Sequence, residues 1–130
     1  MKEPAIVYAR TALGAAFLSA VASRFGVWDG TLDLAHFHNF EQYTAEVNSF
    51  LPAALIPIVA WMATAAELSL GVLLIAGIRT REVALASAML LALFGTAMAI
   101  SLGVKSPLDY SVFSASAGAL LLARATGGAR

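Results

Sequence analysis

Apolar positions in this chain come in long blocks rather than in short alternations. Four blocks stand out, at residues 4–22, 57–77, 82–102 and 107–123. A helix rises about 1.5 Å per residue and the hydrocarbon core of a bilayer is roughly 30 Å thick. Each block therefore reads as a membrane-spanning helix. Pro4 stands where a first helical turn tolerates proline, and Gly77 is a natural C-terminal stop for the second block. Thr80 is placed to cap the third. The fourth opens with "SPLD", where Ser106 reads as N-cap, Pro107 as the first helical residue and Asp109 as the acid three after the cap. The first block also has the outline of a signal peptide, with Ala20-Val21-Ala22 as a cleavage site. We read it as a retained helix.

One sizeable loop, from about Arg24 to Ile56, joins the first two spans. Within it Phe37, Phe40, Tyr43 or Thr44, Val47 and Phe50 or Leu51 recur at helical spacing, with Asn39, Glu41, Gln42 and Glu46 between them. That pattern predicts a short amphipathic helix on the membrane surface or capping the bundle. A loop tucked over the helix ends is the alternative. The expected fold is an all-α integral membrane four-helix bundle, one domain over residues 1–130, with this helix in the outer loop.

Composition agrees with the pattern. The chain is 60% hydrophobic and only 12% charged, against roughly 25% charged in a soluble domain. Eight basic residues balance eight acids, so no net field points to nucleic acid. Cysteine is absent, which removes disulfides, thiolate metal sites and thiol redox chemistry. Charge placement predicts orientation. Lys2, Arg79, Arg81, Arg124 and Arg130 fall on one side, while Arg24 and Lys105 share the other with Asp29, Asp33, Glu41 and Glu46. The positive side faces the cytoplasm. We therefore expect a multi-pass protein of a bacterial-type cytoplasmic (inner) membrane with both termini inside. Trp28, Trp61 and Tyr110 fall at the predicted outer interface, where amphipathic rings prefer to sit.

Glu67 is the anomaly. It lies ten residues from Pro57 and ten from Gly77, near the bilayer midplane. An acid there costs on the order of 2.5–3.5 kcal/mol on insertion scales, so it needs a partner or a polar cavity. Ala63, Thr64 and Gly71 share its helical stripe, and such small residues admit a close neighbour. Arg10, roughly 9 Å inside the first span, is the expected partner, with Gly14 one turn along. Arg10 and Glu67 are thus the candidate polar anchor, lined by Gly14, Thr64 and Gly71. Two alternatives stand beside this: the pair only fixes helix register, or Arg10 reaches the headgroups instead. His36 and His38 in "HFHNFEQY" are weak metal candidates, because on a helix they point about 200° apart. No catalytic constellation stands out, which leaves open whether the chain is an enzyme at all.

The run "AAELSLGVLLIAGIRTREVAL" places an E-x-x-x-G step before a G-x-x-T-R turn. With Arg10, Gly14 and Phe17 ahead of it, the loop "FEQYTAEVNSFLPA" and the closing "SLGVKSPLDYSVFSASAGALLLA", it resembles the DoxX family of small four-helix membrane proteins. A related member is the membrane subunit of a thiosulfate:quinone oxidoreductase. The resemblance implies a non-catalytic subunit or quinone- or lipophile-binding module of a membrane redox system, with Arg10 and Glu67 at family-typical intramembrane polar positions. It implies no intrinsic cofactor but a bound quinone, and as partners the lipid bilayer with a redox-enzyme subunit or a second copy. Relatives that handle thiols use cysteine pairs, so their chemistry does not carry over. The alternative function is structural, a buried Arg–Glu pair that only specifies helix packing. Small-solute or proton passage is a third reading that a single acid supports poorly.

Overall fold

The computed structural model describes residues 3–127, and every regular element among them is helical. Helix α1 spans Pro4–Arg24, α2 Phe37–Val47, α3 Ile56–Ala76, α4 Thr80–Leu102, α5 Lys105–Asp109 and α6 Val112–Gly127. Short 3-10 turns lead into α2 and α3.

Local chemistry sets most of these ends. The Glu3 carboxylate accepts the backbone N–H groups of Ala5 and Ile6, so a negative charge sits on the positive end of α1. Pro57 occupies the first turn of α3, and Gly77 closes that helix in the left-handed region at φ 74°. Ala20–Ala22 continue α1 without a break, and Val21 is buried.

Two expected ends differ. Thr80 is not the cap of α4 but its first residue, buried, and Arg79 takes the N-cap position at φ 48°. Nor does "SPLD" start a continuous fourth span. Val104 precedes the first turn, Ser106 lies inside the five-residue α5, and the chain turns at Ser111 with φ 57° before α6 begins. Among the described residues, three helical stretches are long and apolar enough to cross a membrane: Pro4–Arg24, Ala53–Ala76 and Thr80–Leu102. At 16 residues α6 is apolar but shorter, about 24 Å.

The long helices run alternately up and down. Ring and side-chain contacts pair Arg10 with Ile75, Gly14 with Gly71 and Phe25 with Trp61, so α1 and α3 are antiparallel. Likewise Gly95 meets Phe113, and Ser116 Oγ donates to the Ala88 carbonyl at 2.7 Å, which sets α6 antiparallel to α4. Packing of α3 on α4 and of α6 on α1 completes the ring. Phe17, Leu74, Val83, Ala84, Leu122 and Ala123 form the core of the half nearer the α3–α4 turn.

The loop helix is present. Its Phe37, Thr44 and Val47 face inward, and it packs on α3, α4 and α1 at the end where α1 finishes. Ser49 ties that end down, its N–H reaching the Ser101 hydroxyl on α4 at 3.0 Å.

The α1–α3 crossing has no spare volume. A Cβ on Gly14 would lie 2.8 Å from the Gly71 carbonyl oxygen and 2.7 Å from Ile75 Cγ1. Overpacking of this kind costs about 1–3 kcal/mol. Gly14→Val should therefore lower the unfolding midpoint in detergent, while Gly118→Ala, whose added methyl meets nothing within 4 Å, should not. Equal midpoints for the two variants would show that the close crossing is not formed.

Candidate functional site

Glu67 sits at the middle of α3, buried against α1. Its partner is Arg24, not Arg10. Arg24 Nη2 donates to Glu67 Oε2 at 2.5 Å, and Nη1 donates to the Thr64 hydroxyl at 2.9 Å. The Thr64 hydroxyl in turn donates a hydrogen bond to the Ala60 carbonyl at 2.8 Å. The Phe40 ring of α2 lies over the guanidinium, 3.7 Å from the carbon to the ring centroid. Only 9% of the Arg24 side chain and 5% of the Glu67 side chain remain exposed, so this is a desolvated pair with polar support.

The geometry follows from helix direction. The α1–α3 register puts Arg24 level with Trp61, six residues and about 9 Å from Glu67 along the axis. Side chains on a helix lean toward its N-terminus. An arginine at the C-terminal end of α1 therefore points back into the bundle, and its stem spans most of that distance.

Arg10 does something else. Its Nη1 donates to the carbonyls of Leu74 and Ile75 at 2.9 and 2.6 Å, beside Gly77. Both oxygens lie in the last turn of α3, where carbonyls run short of helical N–H donors. Leu74 also accepts the Gly77 N–H at 3.2 Å, and a cation there complements the helix dipole. The expected Arg10–Glu67 pair is thus replaced by two separate jobs, a cap for Arg10 and a buried ion pair for Arg24. Of the expected lining residues, Thr64 joins the network, whereas Gly14 and Gly71 touch each other at the helix crossing.

An aromatic stack closes the site toward α2. Phe37 lies 3.9 Å from Trp61 and 5.4 Å from Phe25, centroid to centroid, and Phe40 packs on Phe37 at 5.6 Å. Arg24, Phe25 and Phe40 are absent from the site that sequence reasoning expects. The signal for Arg24 lies in the backward lean of helical side chains, which turns a residue at the C-terminal end of α1 back into the bundle.

The two histidines go separate ways. His36 Nε2 is 3.9 Å from the Asp29 carboxylate, while His38 Nδ1 is 3.4 Å from the Glu41 carboxylate. Among the described residues, no three His, Cys, Asp or Glu side chains are grouped so as to hold a metal ion.

Apolar helices of membrane length around a desolvated ion pair define a small multi-pass membrane protein. Comparison makes the class specific. The family model for methylamine utilisation protein MauE matches residues 2–109, which include α1 to α5 and both arginines as well as Glu67. The chain belongs to the MauE family. No curated protein and no solved structure matches it. The family match overturns the DoxX resemblance. The features behind that resemblance include an acid one turn from a glycine and a basic turn joining two apolar helices. Both are general demands of burying an acid and closing a membrane hairpin, so they do not separate one family from another. The quinone expectation rests on that resemblance and loses its support with it.

Removing one partner of a buried pair leaves an uncompensated charge and costs about 3–5 kcal/mol. Arg24→Ala should lose stability on that scale in a reversible detergent unfolding titration, and Arg24→Met combined with Glu67→Leu should recover most of it. A loss no larger than that of Arg10→Ala would contradict this assignment.

Proposed function

We propose that this chain is a membrane-embedded accessory protein of a redox system that serves amine utilisation, and that it brings no reaction centre of its own. The family description supplies the process. Opening the C–N bond of methylamine while taking its carbon to the aldehyde level is a two-electron oxidation, which makes the surrounding system a redox one. The observation that carries the accessory role is the Arg24–Glu67 pair. Its donors go to Glu67 and Thr64, and Phe40 covers its face. Such a site favours holding helices together over turning over a substrate.

In the same reading α6, although short, makes the fourth crossing, with the bilayer thinning or the preceding α5 making up the difference. Both termini face the cytoplasm of a bacterial-type inner membrane, following the basic residues. The α2 end then faces outward.

Deletion of the gene in its own host should abolish growth on methylamine as sole nitrogen source and leave growth on ammonium intact. Wild-type growth of the deletion strain on methylamine would overturn the role.

A further inference from the structure

Neutral net charge conceals a sharp separation. Apart from the internal Arg24–Glu67 pair, the α2 end carries Asp29, Asp33, Glu41, Glu46 and Asp109 against Lys105 alone. Lys105 is already engaged, its ammonium 2.5 Å from the Asp109 carboxylate. The field reaches Tyr43 on α2, whose phenol is raised above its ordinary value first by burial and then by Tyr110 and Glu46.

This face also has a groove. It lies between α2 and the start of α3, holds about 350 Å³ and is open on one side. His38, Glu41 and Gln42 form one wall, and Ala45, Leu51 and Ile56 contribute to an apolar floor. That volume is at the low end for a small-molecule site, and the open side leaves a ligand only partly enclosed. Glu41 is the charged group in the wall. Its side chain is 24% exposed and holds His38 at 3.4 Å, so its charge is partly desolvated and less screened than a free surface acid.

We propose that the α2 face is a docking surface for a lysine-bearing segment of a partner protein, with one lysine seated in this groove. The aliphatic stem of lysine covers the apolar floor while its ammonium meets Glu41, as an amphipathic side chain does at such a boundary. The rest of the segment crosses a surface whose remaining acids complement further basic residues. Charge of this kind governs encounter and orientation as well as affinity. The inference extends the accessory reading, and the two fail separately. Growth on methylamine tests the role, whereas peptide binding tests the surface.

The test uses the full chain in nanodiscs of zwitterionic phosphatidylcholine and a capped octapeptide with two lysines. The lysine peptide should bind, its glutamate counterpart should not, and raising salt from about 50 to about 500 mM should weaken binding. Glu41→Lys should weaken it roughly tenfold or more, with the unfolding midpoint measured alongside to show that the variant is folded. Arg81→Ala, at the far end, should bind as wild type does. Carbodiimide treatment of native membranes should join Glu41 to a lysine of another protein. Equal binding of the two peptides, or wild-type affinity in Glu41→Lys, would overturn the proposal. So would displacement of the peptide by butylamine at equal concentration, which indicates a free-amine site, or a cross-link from Glu41 to Lys105 of a second copy.

Discussion

A carboxylate in the middle of a membrane helix has no water to answer it, and the arrangement of this bundle follows from the group that does. The Arg24 guanidinium meets Glu67 and Thr64 at once. To reach them it must start from the end of α1 and run back along it, which fixes how far α1 extends past Glu67. Phe40 lies on the guanidinium face, so the same cation also seats α2. One side chain therefore joins three elements that are distant in sequence.

The two halves of the molecule solve different packing problems. Near the α3–α4 turn the packing is apolar and close, with Gly14 against Gly71 and Phe17 among Leu74, Val83 and Leu122. Arg10 finishes that half by donating to the last-turn carbonyls of α3. Toward α2 the helices are bridged instead by the ion pair and by the Phe25–Phe37–Trp61 stack. Replacing a buried pair by apolar residues is often neutral for stability. Its value here is directional: hydrogen bonds choose one register, whereas dispersion between leucines tolerates several.

The long helices and the α2 helix are legible in the sequence because hydrophobic period and length report burial directly. Pro57 and Gly77 mark α3 for the same local reasons that they end it. "SPLD" misleads because its capping pattern is local, while the turn at Ser111 is made by a left-handed backbone that no side-chain pattern announces. Glu67 is identifiable as buried, but its partner is not. Helix ends guessed from the sequence put Arg10 nearer, whereas the observed register sets Arg10 level with Ile75 and Arg24 level with Trp61. Arg24 therefore starts closer, and the backward lean of side chains carries it the rest of the way. The residues that suggest DoxX serve membrane burial in general, so they are silent on family. The MauE match over residues 2–109 corrects the assignment.

An accessory membrane protein needs a fixed shape more than a reactive group, and a bundle with one register and an acidic face at its α2 end fits that need. All of it depends on which arginine holds Glu67. The most direct measurement is a solid-state NMR distance between the Glu67 side-chain carboxyl carbon and arginine guanidinium nitrogens, with the protein in lipid bilayers. The account predicts a short distance that persists in Arg10→Lys and disappears in Arg24→Lys. The reverse pattern, disappearance in Arg10→Lys and persistence in Arg24→Lys, would contradict it.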